Sequence, residues 1–130
     1  MILQTTLSLA AAAAVINIWL VMRIGRIRGL RKIWHGDGGD ELLMRRMRAQ
    51  SNFVENVPLV MILIAAIELT AKGGTWLAMV GALFMLARVI HALGMDNVNP
   101  NPLRMIGTLV TMLAQLGLAV VAVLIALGKF

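Results

Sequence analysis

Apolar residues along this chain fall in four long blocks separated by short polar stretches, not at alternating or helical spacing. Uninterrupted blocks of this length mark helices that cross a bilayer, whereas periodic spacing would mark half-buried elements of a soluble core. The first block covers about residues 2–22, with Gln4, Asn17 and small hydroxyl residues as its polar members. No positive segment precedes it and its arginines follow it, which predicts a retained span rather than a cleaved leader.

A basic stretch from Arg23 to Lys32 leads into Trp34-His35-Gly36-Asp37-Gly38-Gly39-Asp40, a solvated turn in which Asp40 can cap the next helix. That helix, about residues 41–70, begins polar and becomes apolar at Val57. Roughly 30 residues at ~1.5 Å each exceed a ~30 Å hydrocarbon core, so it should project from the membrane. Pro58 should kink it and free the carbonyl of Val54. Lys72-Gly73-Gly74 turns the chain into a third span, 75–95. The turn formers from Asp96 to Pro102 lead to a fourth, 103–127. Glu68 can pair with Lys72 one helical turn away. Gly81, Gly107 and Gly117 should let helices approach closely, and Trp19, Trp34 and Trp76 fall near the ends of spans, where aromatic belts form.

The expectation is one domain over 1–130, an all-α integral membrane protein built as an up-down-up-down bundle of four transmembrane helices. Composition agrees: 60% of residues are hydrophobic and only 14% charged, with mean hydropathy +0.87, too few charges to coat a soluble domain. The chain has no cysteine, which excludes disulfides, thiolate metal sites and a cysteine nucleophile. His35, without a second histidine nearby or a calcium-loop spacing, is read as part of a solvated turn rather than a metal site.

Net charge is +6, and its distribution matters more than its size. Arg23, Arg26, Arg28, Arg31, Lys32, Arg45, Arg46 and Arg48 lie between the first two spans, and Arg88 and Arg104 flank the connection between the last two. Only Lys72 and Lys129 lie on the other side. The positive-inside rule then puts both termini outside the cytoplasm. Basic residues beside apolar spans suit anionic headgroups or a small anion, not nucleic acid.

The candidate chemistry is concentrated in Arg48-Ala49-Gln50-Ser51-Asn52-Phe53-Val54-Glu55-Asn56-Val57-Pro58. On a helix Arg48, Asn52 and Glu55 fall within about 60° of one another, while Gln50 points to a different face, toward another helix. Facing lipid would be costly, so these groups pair internally, meet water or hold a polar ligand. Arg88 and His91 share a face near the same end of the third span, and Arg104 opens the fourth. Helix one adds Arg23 or Arg26. Several arginines around one carboxylate suit a ligand with more than one carboxylate and an amine, the first held by Arg forks and the second by Glu55.

The Arg-Ala-Gln-x-Asn-x-x-Glu-x-x-Pro run at 48–58 resembles the helix-two signature of the MAPEG family, the membrane-associated proteins of eicosanoid and glutathione metabolism. Ala87 to Gly94 resembles that family's third-helix motif and Arg104-Met105-Ile106-Gly107 its fourth-helix start, in a bacterial-type member. The resemblance implies a homotrimer in a bacterial inner membrane, with glutathione bound between neighbours near the cytoplasmic face. It implies Arg48, Gln50, Asn52 and Glu55 as glutathione contacts, and Arg104 as the residue that stabilises the thiolate. It further implies transferase or peroxidase activity on a hydrophobic electrophile or lipid hydroperoxide. The family's tyrosines are replaced here by Asn56, His91 and Met95, and the chain has no tyrosine. That departure supports the alternative of a non-catalytic trimeric protein of the same fold, binding another anion or acting as a packing module. A small exporter would need an ionisable residue deep in a span to couple protons, and the first span has none.

Overall fold

The computed structural model describes residues 2–130 and consists of four helices. These are α1 (Gln4–Arg31), α2 (Glu41–Leu69), α3 (Thr75–Gly94) and α4 (Pro102–Ala126). Each is long and apolar enough to cross a membrane, and among the described residues there is no strand. The boundaries follow local chemistry. The Asp40 carboxylate accepts from Leu43 N at 2.8 Å and also binds Arg31, so it caps α2 as its place in the sequence predicts. Asn101 caps α4 through Arg104 N at 3.2 Å, ahead of Pro102, whose missing N–H costs nothing in the first turn.

Two sequence expectations change. Helix α1 continues beyond the first apolar block to Arg31, because nothing in the basic stretch breaks it, and ends where Lys32 turns left-handed. Helix α2 runs through Pro58, an exposed residue, as one helix, as the apolar pattern predicts. Glu68 does not pair with Lys72. Its Oε1 accepts from Thr5 N at 2.8 Å, and its Oε2 accepts from Thr6 N at 2.8 Å and Thr6 Oγ1 at 2.7 Å. Helix α1 has no side-chain cap of its own, so a carboxylate from the far end of α2 satisfies its first free N–H groups and its dipole.

Helices α2 and α3 form the centre, with α1 and α4 on opposite flanks that do not touch each other. The core joins Phe53, Val57, Val60 and Ile64 of α2 to Leu77, Phe84 and Met85 of α3, with Leu9, Leu20 and Leu118 from the flanks. Helix α3 is the most enclosed, with 50% of its apolar window buried against 11% for α1 and α4. The flanks therefore leave Val15, Ile18, Met112, Leu116 and Val123 exposed, a surface that suits acyl chains rather than water. Close approach is strongest between α3 and α4. A Cβ on Gly107 would lie 2.5 Å from His91 Cβ and 2.8 Å from the Ala87 carbonyl, and one on Gly94 would lie 2.5 Å from Arg104 N. Gly117, expected to do the same work, faces open space.

Candidate functional site

Most of the predicted site residues gather toward one end of the bundle, where α2 begins and α3 gives way to α4, in three environments, with Glu55 in none of them. The outermost is an open cleft of about 360 Å³ lined by Glu41, Met44, Arg45 and Arg48 of α2, by Met95, Asn97 and Val98 after α3, and by Arg104 of α4. Three guanidinium groups thus share a cleft with one carboxylate, Glu41, which is exposed and reaches Arg45 at 3.7 Å. Arg48 and Arg104 form no ion pair among the described residues. The internal Arg48–Glu55 pair, a possibility the spacing leaves open, is not made: Glu55 is exposed, with no salt-bridge partner among the described residues.

The second environment lies below the cleft. Arg88 is 2% exposed and His91 3%. Arg88 donates to Thr111 Oγ1 at 2.7 Å, to Asn52 Oδ1, and to His91 Nδ1 at 3.2 Å. Asn52 is thereby tied to α3 and α4, and its carbonyl accepts from Asn56 Nδ2 at 2.7 Å. Arg88 and His91, expected as ligand contacts, do not line the cleft and are bonded within the chain.

The third environment binds α1 to the rest. Arg23 lies over the Trp19 ring at 4.8 Å, donates to the Ala92 carbonyl at 3.3 Å and pairs with Asp96. Arg46 donates to Asp96 Oδ1 at 3.3 Å and to the Arg23 carbonyl at 3.1 Å. Glu55 is therefore not the lone carboxylate near the arginines. Asp96 neutralises two of them, a role masked by its position in a run of turn formers. Arg26 is exposed and outside any ion pair among the described residues. Gln50 turns away from the cleft and donates to Asn17 Oδ1 of α1 at 3.4 Å, as its helical phase predicts.

The arrangement can hold a small polyanion. Its forked guanidinium donors have the geometry to meet the oxygens of a carboxylate. Among the described residues there is no cluster of three or more metal-ligating side chains. No curated protein and no solved structure matches the chain. The model of the MAPEG family matches residues 6–124, nearly the whole chain, and the chain belongs to that family, whose members include glutathione transferases and peroxidases.

Proposed function

We propose that this MAPEG protein binds glutathione in the arginine cleft and activates its thiol for attack on a hydrophobic electrophile or a lipid hydroperoxide. The observation that carries the reading is the charge imbalance of the cleft. Arg45, Arg48 and Arg104 converge on a space whose one acid, Glu41, is exposed and at the edge of ion-pair distance. A tripeptide with two carboxylates and one amine complements that imbalance, with the guanidinium groups on the carboxylates and Glu55 on the amine. Arg104 is the residue assigned to the sulfur. A fixed cation beside a thiol lowers the cost of losing its proton, and the thiolate is the nucleophile. Arg26 is the helix-one arginine assigned to the ligand, because Arg23 is already held by Asp96.

In this reading the bundle runs up-down-up-down with both termini outside the cytoplasm of a bacterial cell. Three copies assemble with each cleft at a junction between neighbours near the cytoplasmic face, open sideways to lipid. Detergent-purified protein is expected to bind glutathione in calorimetry, and Arg48→Ala to reduce that affinity at least about tenfold through loss of a charge-assisted pair. Unchanged affinity in Arg48→Ala would remove the site assignment.

One observation favours a second reading, in which the fold binds an anion without turnover. The positions of the family's tyrosines hold Asn56, His91 and Met95, and Asn56 is engaged within the chain by Asn52 and Gln115. Binding of glutathione with no thiolate formed would select that reading.

A further inference from the structure

Arg88 is a guanidinium buried in a membrane helix with no carboxylate beside it. Such a charge is costly in a span and is retained where it has work to do. Its three partners are neutral acceptors, Thr111 Oγ1, Asn52 Oδ1 and His91 Nδ1, and its Nε has no partner.

Arginine can only donate, so each contact fixes the polarity of the group it meets. Asn52 must turn its oxygen to Arg88, and that oxygen also receives Asn56 Nδ2 at 3.4 Å. The Asn52 Nδ2 amide is then the part left over, with no protein partner among the described residues. His91 must offer a bare Nδ1, which places its ring proton on Nε2. Thr111 gives its own hydrogen to the Gly107 carbonyl at 2.8 Å and keeps a lone pair for Arg88. Asn52 lies one helical turn from Arg48 and His91 one turn from Met95, and Arg48 and Met95 both line the cleft.

We infer that Arg88 is a positioning residue for anion recognition: it occupies the acceptor atoms of Asn52 and His91, so that these two groups have only hydrogen-bond donors to offer the cleft above them. Arg88 itself does not touch the ligand. The inference rests on reading the cleft as a glutathione site and adds how that site selects. Donors one helical turn beneath the Arg48 and Met95 lining fit a carboxylate that reaches past it, and leave an esterified or amidated carboxyl poorly matched, because an acceptor has been lost.

Two measurements on the full chain in detergent test it. Nitrogen NMR of histidine-labelled wild-type protein should report His91 protonated on Nε2 and bare on Nδ1, with the fixed tautomer lost in Arg88→Gln. A proton on Nδ1 in the wild type would overturn the inference without reference to any ligand. In calorimetry, Arg88→Gln should weaken glutathione binding about tenfold in the wild-type background and less than about twofold when Asn52→Ala and His91→Phe are already present. Thermal stability should fall less in the second background, where two of the three partners of Arg88 are already absent. Equal loss of affinity in both would mean that Arg88 touches the ligand or acts through general destabilisation, and would overturn the inference. Wild-type protein that fails to bind glutathione would instead overturn the proposed function, and the tautomer would still judge the network.

Discussion

Glu68 and Asp96 each tie α1 to the rest of the bundle, and neither role follows from its neighbours in sequence. The Glu68 carboxylate takes both amide hydrogens offered by Thr5 and Thr6. A glutamine there keeps one acceptor and turns an NH₂ toward the other N–H. Glu68→Gln is expected to cost about 1 kcal/mol, the usual worth of a helix cap, read as a lower thermal midpoint in detergent. An unchanged midpoint would mean that the cap contributes nothing. Helical phase sent Gln50 to a face other than that of Arg48, Asn52 and Glu55, and Gln50 does reach Asn17 of α1. The same logic paired Glu68 with Lys72, because spacing rules see only within a helix, whereas the actual partners lie on α1. Asp96 was hidden for a related reason. An aspartate before Asn97 and Pro100 is fully accounted for as a turn residue, so nothing local points to Arg23 and Arg46.

At the scale of elements, the four helices could be read from hydropathy because a bilayer imposes long apolar blocks whatever the tertiary packing. The depth of helix contact could not. Gly107 and Gly117 look alike in sequence, yet one lies against α3 backbone and the other faces open space. Gly107→Ala should therefore force α4 away from Ala87 and His91 and cost about 1–3 kcal/mol. Gly117→Ala should be neutral or stabilise by up to about 1 kcal/mol through helix propensity. Thermal melts of the two variants check the contrast, and equal effects would contradict the α3–α4 interface described above. Because Arg88 bonds Thr111 across that interface, Gly107→Ala should also disturb the network beneath the cleft.

For the whole molecule, the sequence shows one lopsided charge distribution that the structure divides by use. Arg23, Arg31 and Arg46 are held by carboxylates, Arg88 is held by neutral groups, and Arg48 and Arg104 open onto a cleft. Under the positive-inside rule all of them predict the same orientation. Since the chain has no cysteine, a cysteine at position 129 should react with an impermeant maleimide on intact cells, and one at position 35 only after lysis. The reverse pattern would invert the assigned topology. The central claim, that the cleft binds glutathione and draws off its thiol proton, has a direct optical readout, because a thiolate absorbs in the ultraviolet where a thiol does not. Rapid mixing of the purified protein with glutathione should produce that absorbance in step with binding, and Arg104→Ala should bind glutathione yet give little of it. No thiolate signal from wild-type protein saturated with glutathione would contradict the account.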